Sequence, residues 1–151
     1  MKEGLMGDAV IRKATERDFD VIYEIELLSF KDPYPYAFLQ TLQSLNPETF
    51  FVAEHAGTPV GYIIATEDRG HGHILAIAVH PSEKRKGIGK RLIVELLQTL
   101  RSLGVITVRL EVRRGNIEAQ RFYEYHGFIY SHAIERYYDD EDALIYYHSL
   151  Q

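Results

Sequence analysis

The sequence predicts an α/β fold with a mixed, mostly antiparallel sheet flanked by helices, in the order βααβββαβαββ. Three observations predict it. The chain of 151 residues has the length of one domain with a single core. Two β-rich runs around Gly57-Thr58 predict an antiparallel hairpin. An apolar strand, a helix and another strand then follow in the middle of the chain, which predicts a crossover near the central strand.

The first half of the chain predicts three strands and two helices before the sheet centre. "DAVIRKA" (8–14) alternates well enough for a strand, and Thr15 is placed to cap a helix that extends to about Phe30. The prolines of "KDPYPY" (31–36) break the chain, and "AFLQTLQSL" (37–45) predicts a short second helix. "TFFVAEHAGTPVGYIIATE" (49–67) then forms the predicted hairpin.

The second half predicts the centre of the sheet and its far edge. "HILAIAV" (73–79) is almost wholly apolar and predicts a central strand. A helix from about Gly87 to Leu103 and the strand "VITVRLEV" (105–112) complete the crossover. "NIEAQRFYEYHG" (116–127) predicts a helix capped by its asparagine and stopped by its glycine. "FIYSHAIE" and "DALIYYHS" predict two closing strands around an acidic loop.

Composition excludes several classes of function. The chain has no cysteine, so disulfides, thiolate metal ligands and a cysteine nucleophile are excluded. Its 22 Asp and Glu against 17 Lys and Arg argue against bulk nucleic-acid binding. No apolar run approaches a membrane span of roughly 20 residues. We therefore expect a cytoplasmic protein of a single domain over 1–151, with a flexible leader at 1–7 and no partnership with nucleic acid or membrane.

A basic turn, "EKRKGIGKRL" (83–92), stands out against this acidic background. It places five basic side chains and two glycines between a predicted strand and a predicted helix start. Backbone N–H groups and the helix dipole make such a turn an anion site, and glycines let a phosphate approach. The spacing is neither that of a P-loop nor that of the dinucleotide fingerprint. The alternative is a solvated basic helix start with a flexible loop.

Two blocks of sequence resemble the GNAT N-acetyltransferase superfamily. "IAVHPSEKRKGIGKRL" (77–92) is similar to its coenzyme-A-binding motif, Gln/Arg-x-x-Gly-x-Gly/Ala, with Lys84 at the first position. "LEVRRGNIEAQRFYEYHGF" (110–128) resembles the block that follows it. "SFKDPYPYAFL" (29–39) and "ERYYDDEDALIYY" (135–147) are most similar to protein N-terminal acetyltransferases of the ribosomal-protein alanine and archaeal types.

The resemblance implies an acetyl-CoA-dependent enzyme that acetylates the N-terminal α-amine of proteins or peptides by direct attack in a ternary complex. It also implies a sheet whose two central strands splay apart to admit the pantetheine arm, with the Val79 amide as an oxyanion donor. The coenzyme contacts that it implies are Ile77, Ala78, Val79, Arg85, Lys86, Gly87, Ile88, Gly89, Lys90, Asn116 and Tyr123.

Two residues are candidates for the general base, which must deprotonate the attacking amine. Glu111 ends the strand 105–112, at a position where acetylating relatives often carry a base; the alternative is a carboxylate that only pairs with Arg109 or Arg113. His73 begins the central strand and is the second candidate, or an exposed turn histidine. His71 could share its face, but no third ligand is evident, so no metal site is expected.

The resemblance makes Tyr123 the acid that protonates the departing thiolate; the alternative is an aromatic packing residue beside Phe122. It implies an acceptor site in the first inter-helix loop and the last hairpin, formed by aromatic residues: Phe30, Tyr34, Tyr137 and Tyr138. Further carboxylates are candidates for an acidic approach path for a cationic amine: Glu26, Asp32 and the segment Asp139–Asp142. A solvated hairpin turn is the alternative for that segment.

Other functions remain open from the sequence. A small-amine acetyltransferase, for polyamines or aminoglycosides, would share the fold and the coenzyme, as would a lysine acetyltransferase. A non-catalytic acyl-CoA-binding sensor would keep the anion site without turnover. The last two strands could also form the edge of a homodimer.

Overall fold

The computed structural model describes residues 9–151, and the predicted leader at 1–7 lies outside them. The described residues form eleven strands and helices in the predicted order. The strands are β1 (Val10–Lys13), β2 (Phe50–His55), β3 (Thr58–Asp68), β4 (His71–Val79), β5 (Thr107–Arg113), β6 (Ile129–Tyr138) and β7 (Glu141–Ser149). The helices are α1 (Phe19–Ser29), α2 (Tyr36–Leu45), α3 (Ile88–Ser102) and α4 (Ile117–Tyr125). Short 3-10 turns occupy Glu16–Asp18 and Pro81–Glu83.

The strands follow the order β1-β2-β3-β4-β5-β7-β6 in the sheet. The pairs β1/β2, β2/β3, β5/β7 and β6/β7 are antiparallel, and β4/β5 is parallel. The parallel register joins only His71–His73 to Thr107–Arg109, although both strands continue further. The splaying of the two central strands stays a prediction.

The chain divides into two compact units, each with its own buried side chains. The first comprises residues 9–66 and 76–99, and the second comprises 67–75 and 100–151. The first unit buries aromatic and aliphatic side chains that include Phe19, Ile22, Ile25, Leu39, Phe50, Tyr62, Leu92 and Leu96. The second buries Val108, Leu110, Phe128, Ile145 and Tyr146. The single acetyltransferase domain over 1–151 stays a prediction.

The residues predicted to begin or end helices have local hydrogen bonds or backbone conformations typical of helix ends. The amide of Thr15 donates to Asp18 Oδ2 at 2.8 Å across the 3-10 turn before α1. Asn116 Oδ1 accepts from the Ala119 amide at 3.1 Å at the start of α4. After α4, Gly127 has a φ of 91°, in the left-handed region that favours glycine.

One predicted boundary is wrong. The acidic loop between the closing strands contains only Asp139 and Asp140, because β6 continues to Tyr138 and β7 already begins at Glu141. Glu141 and Asp142 are therefore strand residues with fixed partners. Within residues 9–151, no helix has the length and apolar character that a membrane span needs.

Candidate active site

The basic turn lies in the first unit, between β4 and α3. Lys84, Arg85, Lys86 and Gly87 are exposed. Arg85 and Gly87 have φ values of 65° and 79°, so the backbone turns through the left-handed region twice before α3 begins at Ile88. The amide of Arg91 donates to the Gly87 carbonyl at 3.1 Å, which closes the first helical turn. The amides of residues 88–90 then lie at a helix start, where the helix offers them no acceptor.

This turn has the space and the charge to receive a diphosphate. A Cβ added at Gly87 would meet no atom within 4 Å, so the space before the helix start is open. The helix dipole and the exposed basic side chains favour an anion there. Further back along β4, the Ala78 carbonyl lies 3.0 Å from the position that a Cβ at Gly61 would occupy, so glycine permits the close approach of β3. The residues present therefore fit the phosphate end of coenzyme A.

Three side chains of the second unit form one hydrogen-bonded cluster. His73 Nε2 lies 2.7 Å from Glu111 Oε1. The other carboxylate oxygen, Oε2, lies 3.1 Å from Arg109 Nε. Arg109 Nη2 is 3.3 Å from His73 Nδ1, so the three side chains contact each other in a ring. Both base candidates therefore share one hydrogen bond, and the ion pair with Arg109 that was the alternative for Glu111 is also present.

The cluster fixes the tautomer of its histidine. A guanidinium only donates hydrogen bonds, so His73 Nδ1 accepts from Arg109 and Nε2–H donates to Glu111. The Glu111 side chain is 13% exposed and that of His73 is 25% exposed, so water reaches the histidine more easily. His71 is not part of the cluster, since its Nδ1 bonds Thr107 Oγ1 at 2.8 Å.

Tyr123 lies in α4 with its ring almost fully buried. It packs edge-on against Phe122 and Phe128, with ring centroids 5.5 Å and 5.9 Å away. Burial raises the pKa of Tyr123 above the ordinary tyrosine value, and the nearby Tyr138 raises it further. The packing alternative is therefore present, and it keeps the phenol protonated as a proton donor must be. At the start of the same helix, Asn116 uses its Oδ1 as the cap.

The hairpin β6–β7 is held by an arginine whose role the sequence did not reveal. The Arg113 guanidinium carbon lies 4.1 Å from the centre of the Tyr138 ring, and Nη1 contacts Asp140 Oδ1 at 3.0 Å and Glu141 Oε1 at 3.2 Å. Arg113 thus pairs with the hairpin, and Arg109 is the arginine that pairs with Glu111. Strand alternation places both arginines on one face of β5, so it could not predict which of them pairs with Glu111.

The carboxylates of the hairpin are largely paired. Asp140 and Glu141 contact Arg113, and Asp142 Oδ2 lies 3.2 Å from Arg114 Nε. Glu141 Oε2 also accepts from the Gly115 amide at 2.6 Å. These contacts fit neither an open acidic approach path nor a solvated turn for Glu141 and Asp142, which lie in β7. Tyr137, by contrast, is exposed.

The loop between α1 and α2 belongs to the first unit and contains two predicted acceptor residues, Phe30 and Tyr34. Glu26, expected to face an incoming amine, is instead only 2% exposed. Its carboxylate accepts hydrogen bonds from the Tyr34 amide and from the Tyr62 hydroxyl. Burial raises the pKa of Glu26, and the two hydrogen bonds oppose that shift. The expectation for Glu26 is wrong, and its position one helical turn after the buried Ile22 was the signal that could have shown it.

Comparison with known proteins decides the family. The family model described as Acetyltransferase (GNAT) family matches residues 19–128. The chain belongs to the GNAT acetyltransferase family. An uncharacterized N-acetyltransferase of Methanocaldococcus jannaschii is 38% identical to this GNAT acetyltransferase over 138 residues, which cover 90% of this chain and 88% of the relative. An N-alpha-acetyltransferase of Sulfurisphaera tokodaii is 33% identical over 149 residues and covers 89% of each protein.

A solved structure agrees with this assignment. The crystal structure of Ard1 from Thermoplasma volcanium matches the GNAT acetyltransferase with a TM-score of 0.92 and 32% identity, over 95% of this chain and 98% of that one. The predicted fold and family are confirmed. The protein is an acetyl-CoA-dependent acetyltransferase, and acetyl-CoA is its cofactor.

Proposed function

We propose that this GNAT acetyltransferase acetylates the N-terminal α-amine of proteins or peptides, with Glu111 and His73 as its proton acceptors. The proposal rests on the contact of 2.7 Å between His73 Nε2 and Glu111 Oε1, because this contact joins the two candidate bases in one hydrogen-bonded pair. The relatives support the choice of substrate, since the protein of Sulfurisphaera tokodaii is an N-alpha-acetyltransferase.

The cluster can remove the proton that blocks attack. An α-amine has a pKa of about 7.7–8.0 and is largely protonated at neutral pH. Glu111 accepts that proton at its carboxylate, directly or through one water. Arg109 restrains the carboxylate from one side and His73 from the other, so the acceptor is preorganised. His73 Nδ1 is the second place where a proton can be held, once it has released the hydrogen bond that it accepts from Arg109.

Other residues would hold the coenzyme and supply the proton at the end of the transfer. When bound, acetyl-CoA supplies the acetyl thioester. The amides of residues 87–90 and the side chains of Arg85 and Lys86 would hold its diphosphate. Backbone groups of Ile77, Ala78 and Val79 would hold the pantetheine arm, with the Val79 amide donating to the oxyanion. Tyr123 holds a proton on its buried hydroxyl and releases it as the transfer ends.

The acceptor contacts complete the proposal. Phe30 and Tyr34 in the α1–α2 loop, with Tyr137 and Tyr138 on the last hairpin, would contact the first residues of the acceptor. Tyrosine hydroxyls bond a peptide backbone while the rings shape a side-chain pocket. Asn116 can contact the coenzyme through its Nδ2 group, since its Oδ1 caps α4. A cytoplasmic location and a homodimer stay predictions.

Acetyl transfer to a set of acceptors tests the proposal. Short peptides that differ in their first residue, a peptide acetylated at its terminus with an internal lysine, and spermidine are each offered with acetyl-CoA. Wild type, Glu111→Gln and Glu118→Gln are compared. Glu118 is an exposed glutamate of α4 and serves as the matched control. We expect wild type to use free α-amines, Glu111→Gln to lose about 10² or more in kcat, the usual contribution of a general base, and Glu118→Gln to match wild type.

The outcomes separate the competing functions. Transfer to spermidine alone would keep the fold and replace the substrate with a small amine. Transfer to the internal lysine alone would make the protein a lysine acetyltransferase. Tight binding of acetyl-CoA without transfer to any acceptor would favour the sensor. An unchanged kcat in Glu111→Gln would remove Glu111 from the mechanism.

A further inference from the structure

We infer that Glu26 is a positioning residue that fixes the conformation of the acceptor loop, defined as residues 30–35. The inference rests on the proposed function, because that function gives the acceptor loop its role. Glu26 itself lies in the last turns of α1 and does not line the loop surface.

Glu26 holds both ends of the acceptor loop. Its main-chain carbonyl accepts from the Phe30 amide at 3.1 Å and closes the last turn of α1. Its side-chain Oε2 accepts from the Tyr34 amide at 2.8 Å. The two residues so held, Phe30 and Tyr34, are the two aromatic residues predicted to contact the acceptor. The backbone contact with Phe30 would form with any residue at position 26, whereas the contact with Tyr34 needs the glutamate side chain.

The sequence of the loop leaves few other ways to fix it. Pro33 and Pro35 have no backbone N–H, so the Tyr34 amide is the only main-chain donor in that stretch. The proline rings limit backbone rotation on either side of Tyr34. The Tyr34 ring packs on Phe38 of α2, with centroids 5.1 Å apart. The Glu26 carboxylate supplies the acceptor for the amide that lies between the two prolines.

Burial of the carboxylate is not explained by packing. Glu26 occupies an apolar face beside Ile22 and Ile25, where a leucine would pack without desolvating a charge. The second oxygen, Oε1, accepts from the hydroxyl of Tyr62, which is fully buried in β3. Tyr62 thus anchors the glutamate to the sheet, and the glutamate anchors the loop. A buried acid with this pair of donors fits a positioning role.

The test removes the acceptor while keeping the side-chain volume. Glu26→Leu removes both side-chain hydrogen bonds. Glu26→Gln retains an oxygen for the Tyr34 amide, and the Tyr62 hydroxyl can accept from the new amide. Asp20→Asn is the matched control, because Tyr36 Oη donates to Asp20 Oδ1 at 2.8 Å and also links α1 to α2 without involving the loop. Readouts are KM for peptide, KM for acetyl-CoA, kcat, and hydrogen exchange of the Tyr34 amide.

We expect Glu26→Leu to raise KM for the peptide about tenfold, the value of one hydrogen bond to a charged group, and to leave KM for acetyl-CoA within about twofold. The Tyr34 amide should exchange faster in Glu26→Leu and stay protected in Glu26→Gln. Glu26→Gln and Asp20→Asn should keep the peptide KM of wild type. An unchanged peptide KM in Glu26→Leu, or an equal rise in both KM values, would overturn the inference.

Failure of the proposed function gives a different result. If wild type acetylates spermidine and no peptide, the function is wrong, and the same KM comparison is made with spermidine. If wild type transfers acetyl to no amine, exchange at Tyr34 still decides whether Glu26 fixes the loop. If Glu26→Leu does not fold, Glu26→Asp draws the carboxylate back by one methylene; a peptide KM equal to that of wild type would then overturn the inference.

Discussion

At the scale of single residues, Tyr123 is both a buried aromatic residue of the core and the proposed general acid. It is 8% exposed, and burial raises its pKa further above the ordinary value of about 10, at which a tyrosine hydroxyl is already protonated at neutral pH. Tyr123→Phe removes only the oxygen, and we expect kcat to fall about 10²-fold, as for loss of a general acid, with both KM values nearly unchanged. Tyr125→Phe, on the same helix and 76% exposed, should keep the kcat of wild type. Equal kcat values in the two variants would exclude Tyr123 as the acid.

Single residues also show where reasoning from sequence stops. Glu111 and His73 were each identifiable from their strands, but they are 38 positions apart, and only the register of β4 with β5 brings them together. Arg113 was one of two possible partners for Glu111, and its contacts with Tyr138 and Glu141 could not be predicted, because those residues lie in a hairpin distant in sequence. Glu26 differs, since its helical spacing from Ile22 already placed it on the buried face.

At the scale of elements, the turn before α3 can be tested against a second turn of the same conformation. Gly87 and Gly57 have φ values of 79° and 84°, and a Cβ at either meets nothing within 4 Å. Alanine should cost each turn about 1 kcal/mol of unfolding free energy through backbone strain. Only Gly87→Ala places a methyl group where the diphosphate is proposed to lie, so only it should raise KM for acetyl-CoA. Coenzyme titration and urea unfolding measure both effects, and an equal KM in the two variants would contradict the proposed cradle.

Elements were the most predictable level of this structure, for local reasons. The helices and strands follow from apolar periodicity, and the cap at Asn116 and the stop at Gly127 are local signals that tertiary contacts did not override. The end of β6 was less predictable. Arg136 has a φ of 51°, and the β6–β7 register shifts between Ile134 and Tyr138, so the strand continues through an irregularity that alternation does not reveal.

At the scale of the whole molecule, a net charge of −5 coexists with a basic coenzyme turn, and several of the acidic side chains have structural partners. Glu26 is buried, and carboxylates of the last hairpin pair with arginines. Acidic side chains therefore contribute to stability as well as to surface charge. The stability of the protein should accordingly depend on pH through particular carboxylates rather than through net charge alone.

Asp18 is the carboxylate that should show this most clearly. It is 2% exposed; burial raises its pKa, but hydrogen bonds from Arg12 and Thr15 outweigh burial and hold the pKa below the ordinary value. Because the pKa is lower in the folded state, this stabilisation is complete above the pKa of the unfolded chain and is lost as pH falls through the folded pKa. We expect Asp18→Asn to lower the free energy of unfolding by about 2 kcal/mol at neutral pH, the cost of a lost charged hydrogen bond in a buried site.

That deficit should shrink as the pH falls through the folded-state pKa of Asp18, where the wild-type carboxylate also takes up a proton. Urea unfolding across this range measures it. Glu48→Gln is the matched control, because Glu48 pairs with Lys13 at 2.6 Å with both side chains more than half exposed. Removing such a surface pair should change the unfolding free energy by less than about 0.5 kcal/mol. A deficit in Asp18→Asn that persists unchanged in acid would show that volume or strain, and not the ionised carboxylate, stabilises the junction of β1 with α1.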